Sequence, residues 1–412
     1  MKIIVTGGDG FCGWPTSLHL SNAGHEVLIV DNLSRRKIAK ALNYESLTQI
    51  SSIHERVACW HKLTGKTIAF KFLDIANNYA TFSHVVKSFS PDCIVHLAAQ
   101  RSAPYSMMSV ESGNYTLSNN VLSTNNVLRA IEANNRNIKL VNLGSIGVYG
   151  YEDRSFEIPE GKTVYSGIDN NNEHYTVEGQ IPLNPTSIYH LSKSQVSSLN
   201  NFYAQNFGLN ITDLYQGIVW GTQTNETNSL DALSNRFDYD EIYGTVLNRF
   251  VVQAQLGTPI TVYGKGKQTR AFIHIQDTVK CIETAVNAGS AKQGDVDVMH
   301  QISETRTVKS VADHVAELVN VPIKHISNPR EEAEEHRYKL ASRRFKQLGL
   351  SQLRTLDDSL VDEIKHVVSR NLRHVDKSCI DPTVNWGKTA HQEKSSPRAP
   401  FRSSTGELAL TE

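Results

Sequence analysis

A tyrosine and a lysine, Tyr189 and Lys193, stand four positions apart in a segment with the pattern of a helix. Four residues make about one helical turn, so the phenol and the ammonium project from the same face. An ammonium beside a phenol favours the phenolate and brings a side chain that titrates at about 10 within reach of neutral-pH base chemistry. Ser145, after a predicted strand at 139–143, is placed to polarise a substrate oxygen. These residues predict a site that removes a proton from a hydroxyl group.

Three glycines near the N-terminus, Gly7, Gly10 and Gly13, lie between a predicted strand at 2–6 and a predicted helix at 14–22. A glycine turn that opens a helix lets backbone amides approach a pyrophosphate and directs the positive end of the helix dipole at it. The spacing therefore predicts a phosphate cradle for a dinucleotide.

An acidic residue, Asp31, ends the second predicted strand at 26–30. A carboxylate about 20 residues past the first glycines accepts hydrogen bonds from both ribose hydroxyls of an adenosine. A 2′-phosphate would meet its negative charge, so NAD is the expected cofactor. Arg35 and Arg36 lie close enough in sequence to accept a phosphate instead, and the choice between NAD and NADP stays open at this point.

The carboxyl ends of the other predicted strands supply further candidates for the cofactor site. Asp74 is suited to hydrogen-bond an adenine edge, although a cap on the following helix explains it equally well. Small residues after the predicted strand at 92–97 let a flat cofactor lie close. The predicted cofactor site comprises Gly7, Gly10, Phe11, Cys12, Gly13, Asp31, Asn32, Asp74, Ile75, Leu97, Ala98, Asn119, Tyr189 and Lys193.

The alternation of strands and helices predicts an α/β fold, a doubly wound parallel (Rossmann) sheet that binds its ligands at the carboxyl ends of the strands. We expect an NAD-binding domain at 1–216 and a smaller C-terminal substrate-binding lid domain mainly at 217–387. Segments such as 270–300 are expected to return to the first domain. A polar, Ser- and Pro-rich stretch at 388–412 predicts a disordered tail.

Three arginines of the second half, Arg249, Arg270 and Arg330, are candidates for a clamp on a nucleotide diphosphate. Forked guanidinium groups suit phosphate oxygens, although each arginine taken alone is more often a solvated surface residue. Arg330 precedes a predicted charged helix at 331–347. A polar segment at 151–184 predicts an extended loop over the site.

The composition is ordinary for a globular chain: 412 residues, 39% hydrophobic, 20% charged, with a formal net charge of +0. This balance gives no reason to expect nucleic acid as a partner, and no apolar run approaches the ~18 residues of a membrane span. The five cysteines show neither CxxC nor Cys/His ligand spacing, so no metal is expected. The first strand follows Met1 at once, and a cytoplasmic location is expected.

Taken together, the glycine loop, Asp31, Ser145, Tyr189 and Lys193 resemble the extended short-chain dehydrogenase/reductase superfamily. More specific stretches resemble one family within it, the UDP-sulfoquinovose synthases, over about residues 2–388. These stretches are Gly7–Trp14, Gln100–Met107, Tyr189–Lys193, Asn328–Arg330 and Glu334–His336, while Thr261–Gly264 and Gln268–Arg270 resemble the substrate-domain pattern of the superfamily.

The resemblance implies an NAD-dependent enzyme that joins UDP-glucose and sulfite through a 4-keto intermediate. It implies that Tyr189 takes the proton of the C4 hydroxyl while NAD takes the hydride, and that Ser145 holds the oxygen. It also implies that Lys193 lowers the pKa of the tyrosine and binds the nicotinamide ribose. Arg101 is expected to recognise the sulfite or sulfonate anion. His190 is a candidate acid or base at C5 and C6, with a packed helical histidine nearly as good an explanation.

The substrate site and the assembly also follow from the resemblance. The superfamily implies a homodimer formed through two helices that flank the sheet, without membrane insertion. The predicted substrate-binding residues are Gln100, Arg101, Ser145, Gln216, Asn248, Arg249, Thr261, Tyr263, Gln268, Arg270, Arg330 and His336.

Two positions depart from the family pattern, because Val148 and Ala99 stand where members carry a carboxylate. Ile146 and Gly147 replace the acidic pair of sugar 4,6-dehydratases, which argues against that chemistry. A UDP-sugar 4-epimerase and a non-catalytic NAD-binding scaffold remain as alternatives. The Gln100–Pro104 stretch argues against the epimerase, which has no obvious use for an extra buried cation, and the intact Ser/Tyr/Lys set argues against the scaffold.

Overall fold

The structure is a computed structural model that describes residues 1–154, 156–289, 292–330, 332–356 and 360–386. The predicted tail at 388–412 lies outside the described residues. The strands are β1 (Lys2–Thr6), β2 (Glu26–Asp31), β3 (Ile68–Phe72), β4 (Cys93–His96), β5 (Lys139–Leu143), β6 (Lys162–Ile168), β7 (His174–Gln180), β8 (Ile211–Gln216), β9 (Ile218–Trp220), β10 (Ile260–Tyr263), β11 (Lys267–His274), β12 (Val296–Gln301), β13 (Glu304–Thr307), β14 (Ile323–Ile326) and β15 (Glu335–His336). The helices are α1 (Gly13–Asn22), α2 (Ser34–Leu42), α3 (Ile53–Thr64), α4 (Tyr79–Phe89), α5 (Ala103–Met108), α6 (Val110–Asn134), α7 (Ile188–Phe207), α8 (Val246–Gln255), α9 (Ile275–Asn287), α10 (Val308–Val319), α11 (Arg344–Gln347) and α12 (Leu360–Asn371).

Seven parallel strands form the central sheet, in the order β12-β8-β5-β4-β1-β2-β3. Strand β1 pairs with β2 on one side and with β4 on the other. Because the direction of the strand order reverses between β1 and β4, a crevice opens at their carboxyl ends. The sheet confirms the predicted doubly wound parallel fold and puts the ligand site at this edge.

Strand β1 shows how the sequence specifies a buried strand. Ile3, Ile4 and Val5 are each 0% exposed, and a continuous apolar run is typical of a parallel strand covered on both faces. Helices α1, α3 and α9 pack on one face of the sheet, and α4, α6 and α7 pack on the other. Because helices cover both faces, a ligand reaches the sheet at the carboxyl ends of the strands.

A second apolar core lies among elements of the second half of the chain. Trp220, Phe250 and Phe272 are fully buried there and pack with α8, α10 and α12. Strands β9, β13 and β15 pair with β11, while β10 pairs with β14 in parallel. These elements stand next to the crevice, and the division into an NAD-binding domain and a lid stays a prediction.

Two predicted segments differ from the structure. Residues 151–184 contain the antiparallel hairpin β6–β7 and are not only an extended loop. The prediction of one charged helix at 331–347 is wrong, because that range holds β15 and the short helix α11. Glu332 is buried in an ion pair with Arg270 on β11, and such a tertiary contact overrides a weak local helix propensity.

The polar segment between β2 and β3 holds the glycine loop in place. Asp9 is buried in that loop, 2.6 Å from Arg36 Nε and 3.0 Å from Arg56 Nη1. The amide of Leu47 donates to the carbonyl of Phe237 at 2.9 Å. The segment therefore ties the glycine loop to the loop that precedes α8.

His19 lies between two carboxylates near the end of α1. Its Nδ1 is 3.0 Å from Glu226 and its Nε2 is 2.9 Å from Glu283. Burial lowers the pKa of His19, but the hydrogen bonds and charges of the two glutamates outweigh burial and raise the pKa above its ordinary value. The two ion pairs of His19 thus stabilise the folded state fully below the unfolded pKa of about 6.5, and this contribution is lost as pH rises through the folded pKa.

We expect His19→Gln to remove this pH-dependent part of the free energy of unfolding. Urea denaturation at about pH 6 and about pH 9 measures it. The wild-type protein is expected to lose more stability across this window than His19→Gln does, by up to about 1 kcal/mol. His84→Gln, at an exposed histidine of α4, is the control and keeps the wild-type difference. Equal pH dependence in His19→Gln and wild type would contradict the ion-pair account.

The described residues contain neither a membrane-spanning helix nor a metal-binding cluster. None of the helices there has the length and apolar character needed to cross a membrane. The same residues hold no group of three or more His, Cys, Asp or Glu side chains that could bind a metal ion. All five cysteines are free thiols.

Candidate active site

The glycine loop forms a close-packed cradle at the carboxyl end of β1. Gly7 has φ +72°, and a Cβ there would come within 2.7 Å of the backbone nitrogen of Ala98. A Cβ on Gly13 would lie 2.0 Å from the carbonyl oxygen of Gly7. The loop is therefore open to a ligand only with glycine at these positions, and it feeds directly into the N-terminus of α1. Those are the requirements of a pyrophosphate site, so the residues present fit a dinucleotide.

Asp31 ends β2 beside this cradle. Its Oδ2 accepts from the amide of Asp9 at 2.9 Å and its Oδ1 from the amide of Leu33 at 2.6 Å. Burial raises the pKa of Asp31 to about 6, against the effect of these amide hydrogen bonds. The carboxylate is thus held by backbone donors at the strand end, where the ribose of an adenosine would lie.

The two arginines that left the cofactor choice open are both engaged by buried carboxylates. Arg36 donates to Asp9 through Nε and Nη2, at 2.6 and 2.8 Å. Arg35 Nη2 lies 2.9 Å from Asp238, and the guanidinium lies 3.6 Å from the centre of the Tyr243 ring. Arg36 is thus engaged on all three of its side-chain nitrogens, whereas Arg35 keeps a buried Nε and Nη1 without a hydrogen-bond partner among the described residues. The preference for a ribose hydroxyl over a 2′-phosphate therefore depends on the carboxylate of Asp31.

Every predicted cofactor residue borders one of two adjoining crevices at the sheet edge. The first runs along the carboxyl ends of β1 to β4, and Asp74 borders it. Asp74 is not a cap on the following helix, because Asn78 is the N-cap residue of α4 and the Asp74 carboxylate accepts from Asn77 at 3.2 and 3.1 Å. The first crevice is bordered by Gly7, Gly10, Asp31, Asn32, Asp74, Ile75, Leu97, Ala98 and Asn119. The second adds Phe11, Cys12, Gly13, Gln100, Arg101, Tyr189, Lys193 and Gln216.

Tyr189 and Ser145 both line a third cavity, which adjoins the cofactor crevices and is called the substrate cavity below. Gln216, Arg249 and Arg330 also line it. Helix α7 begins just before the tyrosine because Ser187 caps it, accepting from the amide of His190 at 3.2 Å. The Tyr189 amide donates to Ser106 Oγ at 3.1 Å, which fixes the first turn. Burial raises the pKa of Tyr189 to about 12, while a hydrogen bond with Ser145 and the charge of Arg101 oppose the shift.

Lys193 lies one helical turn after Tyr189 and is buried at the end of β5. Its Nζ donates to the carbonyl of Leu143 at 2.6 Å, and burial lowers its pKa to about 8 against the opposing charge of Asp213. Lys193 and Tyr189 border the same cofactor crevice. The roles of Lys193 in lowering the pKa of the tyrosine and in binding the nicotinamide ribose stay predictions.

His190 borders the cavity but is held as a neutral ring. Its Nδ1 lies 3.0 Å from Ser187 Oγ, and a Cβ on Gly147 would come within 2.2 Å of its Nε2. Burial lowers the pKa of His190 to about 3, and the charges of Arg330 and Arg270 act in the same direction. A base with that pKa is poorly matched to neutral pH, so packing explains this histidine better than acid–base chemistry does.

Arg101 stands in the wall shared by the cofactor crevice and the substrate cavity. Its Nη2 lies 2.6 Å from Asp238, and about a third of its side chain (34%) is exposed. The same carboxylate also pairs with Arg35 at 2.9 Å and faces Arg236 at 3.8 Å. One buried carboxylate thus faces three guanidinium groups, and Arg101 is the one that lines the same cavity as Tyr189.

The three arginines of the predicted diphosphate clamp converge on the substrate cavity. Arg249 is bound to Tyr263 Oη and donates to a backbone carbonyl at 3.2 Å. Arg270 is paired with Glu332, which offsets its charge. Arg249 and Arg330 each keep a buried Nε without a hydrogen-bond partner among the described residues. These two groups are therefore available to an anionic ligand.

Gln100 borders the cofactor crevice and is not among the residues that line the substrate cavity. The other predicted substrate residues divide into two groups. Gln216, Tyr263 and Gln268 line the cavity, whereas Asn248, Thr261 and His336 lie behind its wall. Asn248 donates to the carbonyl of Asp238 at 2.9 Å, Thr261 accepts from Gln253 at 2.7 Å, and His336 lies 3.0 Å from Arg270. This second group supports the cavity from outside.

Sequence reasoning missed several cavity and loop residues that carry charge or aromatic surface. Tyr151 lies under the guanidinium of Arg270 at 4.4 Å, and its ring is 5.9 Å from that of His190. The alternation of acids with aromatic residues at 236–243 was the available signal for the loop. The missed residues are Asp9, Tyr151, Asp238, Asp240 and Glu332.

The two departures from the family pattern do not face the substrate cavity. Val148 is 1% exposed and packs with Tyr149, Tyr215 and Val298 in an apolar cluster. Ala99 borders the cofactor crevices. A carboxylate at position 148 would be buried among apolar side chains here, so any acid that serves the sugar must come from elsewhere.

Comparisons with known proteins agree with this geometry. Residues 3–298 match the family described as "NAD dependent epimerase/dehydratase family". The chain is 43% identical to a chloroplastic UDP-sulfoquinovose synthase of Spinacia oleracea, over 94% of this chain and 79% of the relative. It is 36% identical to a UDP-sulfoquinovose synthase of Sulfolobus acidocaldarius, over 96% of this chain and 100% of the relative.

Solved structures with the same fold are more distant in sequence. A UDP-glucose 4-epimerase of Thermotoga maritima, solved with UDP-glucose, has a TM-score of 0.63 at 20% identity and covers 91% of this chain and 99% of its own. A UDP-glucuronic acid 4-epimerase from Bacillus cereus, solved with UDP-glucuronic acid and NAD, has a TM-score of 0.63 at 20% identity over 89% of this chain and 100% of its own. At this identity the likeness establishes the fold.

Proposed function

Because this chain belongs to the NAD-dependent epimerase/dehydratase family and, within it, to the UDP-sulfoquinovose synthases, we propose that it joins UDP-glucose and sulfite to form UDP-sulfoquinovose. One observation carries the proposal beyond sugar oxidation: Arg101 lines the same cavity as Tyr189 and Ser145. When bound, NAD supplies the acceptor for the hydrogen at C4 and returns it at the end, so no net redox change occurs.

The chain's own residues supply the proton and anion chemistry. Tyr189 takes the proton of the C4 hydroxyl, and Ser145 hydrogen-bonds the same oxygen. A phenol with a pKa near 12 needs positive charge at hand to ionise, and Arg101 is the cation whose charge already opposes that shift. The resulting 4-ketone acidifies the C5 proton and opens the way to loss of the C6 hydroxyl.

Sulfite is the ligand that the charge of Arg101 suits in the cavity that contains Tyr189. Arg101 presents a partly exposed guanidinium, and the other arginines on Asp238 are more deeply buried, with side chains 15% and 6% exposed. A planar guanidinium offers two parallel donors to the oxygens of sulfite or of the C6 sulfonate. A 4-epimerase that acts on UDP-glucose has no equivalent anion to bind at C6.

The diphosphate of the UDP-sugar is assigned to Arg249 and Arg330. Replacing Arg330 with Met removes one charge-assisted hydrogen bond, and we expect the Kd for UDP to rise about 10-fold. Titration calorimetry with UDP measures this change. Arg136→Met, at an exposed arginine paired with Glu132 on α6, is the matched control. UDP affinity that is equal in wild type and Arg330→Met would remove Arg330 from the clamp.

The experiment that tests the function is incubation of the protein with UDP-glucose and sulfite, with and without added NAD. Mass spectrometry and proton NMR of the nucleotide sugar identify the product. A UDP-hexose with a C6 sulfonate is the expected result. UDP-galactose without sulfur would instead make the protein a 4-epimerase, and NAD binding without any turnover would make it a scaffold.

The assembly and location complete the proposal. A homodimer through the sheet-flanking helices α6 and α7 is supported by their exposed apolar side chains Leu122 and Phe202. A cytoplasmic location stays a prediction, and the name of the spinach relative places that protein in the chloroplast.

A further inference from the structure

Asp240 is a buried acid in the wall of the substrate cavity. It lies in the loop before α8, is 2% exposed, and borders the same cavity as Tyr189 and Ser145. The loop is bound to the start of α5, because Ser102, the N-cap residue of that helix, donates through Oγ to the carbonyl of Ile242. Asp240 therefore lies on a loop that is bound to the segment that carries Arg101.

Only one of the two carboxylate oxygens of Asp240 takes part in the local turn. Oδ1 accepts from the amides of Ile242 and Tyr243 at 2.9 and 2.8 Å. Oδ2 is buried and has no hydrogen-bond partner among the described residues. A turn cap explains the first oxygen and leaves the second without a role, although buried polar atoms are nearly always satisfied.

The charges around Asp240 differ from those around its neighbour Asp238. Asp238 is surrounded by guanidinium groups, and their charges hold its pKa below the usual range although burial opposes them. No Lys, Arg or His in the described part of the chain lies within ion-pair distance of Asp240. Burial, and then the charge of Asp238, raises the pKa of Asp240 to about 6, near the value that suits proton transfer at neutral pH.

The other acid or base groups of the cavity are committed elsewhere. Glu332 is bound to Arg270, whose charge holds the pKa of this glutamate far below its usual range although burial opposes it. Glu241 accepts from Tyr44 Oη and from Thr383. His190 is a neutral ring with a pKa of about 3. Among the described carboxylates that line the cavity, Asp240 alone keeps an unpartnered buried oxygen.

We propose that Asp240 is a catalytic residue whose second oxygen moves the proton between C5 and the C6 oxygen of the 4-keto sugar. The carboxylate takes the C5 proton and gives it to the C6 hydroxyl as that group leaves. The C5–H and C6–O bonds break, the C5=C6 bond forms, and one molecule of water departs with the proton. No electrons are gained or lost in this step, which rests on the proposed function.

Asp240→Asn tests the assignment, because its amide carbonyl keeps an acceptor for the turn while the proton-carrying oxygen is lost. In a single turnover with UDP-glucose, near-ultraviolet absorbance of reduced nicotinamide follows oxidation at C4. We expect this signal to stay within about threefold of wild type and formation of the sulfonated product to fall about 100-fold. With substrate deuterated at C5, the kinetic isotope effect on product formation is expected to be larger in the variant.

Glu132→Gln is the control, an acid of α6 outside the cavity that is paired with Arg136 at 2.9 Å, and it keeps the wild-type isotope effect. Asp240→Glu retains a carboxyl group and is expected to recover part of the product rate. Equal loss of C4 oxidation and product in Asp240→Asn, or no recovery in Asp240→Glu, would assign Asp240 to the turn alone. Failure of wild type to make any sulfonate would refute the proposed function itself.

Discussion

Tyr189→Phe is expected to lower turnover of UDP-glucose and sulfite by about 10³-fold. The phenol is the group that takes the C4 proton, and phenylalanine keeps the ring in its buried place on α7 while removing the oxygen. Because oxidation at C4 comes first, the reduced-nicotinamide signal is expected to disappear together with the sulfonated product. Affinity for the UDP part is expected to stay unchanged, because the diphosphate clamp lies on other elements.

The matched control for this variant is Tyr203→Phe on the same helix. The Tyr203 hydroxyl lies 2.9 Å from Asn125 Oδ1 and outside the residues that line the cavity. Stopped-flow absorbance with UDP-glucose compares both variants with wild type. A Tyr189→Phe protein that still oxidises C4 at the wild-type rate would show that another group accepts the proton.

Arg101→Gln is expected to separate the two halves of the reaction. Loss of a charge-assisted pair to an anion corresponds to an increase of about 100-fold in the KM for sulfite. Oxidation at C4 is expected to persist at a reduced rate, because the charge of Arg101 also helps Tyr189 to ionise. Asp238 keeps its other arginine partners, so the loop before α8 is expected to stay folded.

Arg101→Lys provides the internal comparison, since it retains the charge but not the paired donors of the guanidinium. Its KM for sulfite is expected to fall between those of wild type and Arg101→Gln. The measurement is the initial rate of sulfonate formation over a range of sulfite concentrations. An unchanged KM in Arg101→Gln would move the sulfite site away from Arg101.

The sheet and the cofactor site could be predicted because their signals are local. Strand β1 is a short apolar run, and the glycines that follow it have a spacing with one steric explanation. Tyr189 and Ser145 follow from the same logic, because a residue next to a strand end or in the first turn of a helix is positioned by its neighbours in sequence. The structure brings these residues to one edge of the sheet.

The ionic partners could not be predicted in this way, because they join distant parts of the chain. Arg101 and Asp238 are 137 positions apart, and Arg56 is 47 positions from Asp9. The 331–347 segment has the composition of a helix, but Glu332 is bound in the cavity wall by a residue 62 positions away. The pKa of Tyr189 also depends on burial, which no four-residue spacing reveals.

The central claim is that the sugar is oxidised at C4 and reduced again at the same carbon while sulfite enters at C6. Its most direct test is incubation of the protein with sulfite and UDP-glucose that carries deuterium at C4. We expect a UDP-sugar with a C6 sulfonate in which deuterium remains at C4. A sulfonated product that has lost the C4 deuterium to solvent, or a C4-labelled UDP-galactose without sulfur, would contradict it.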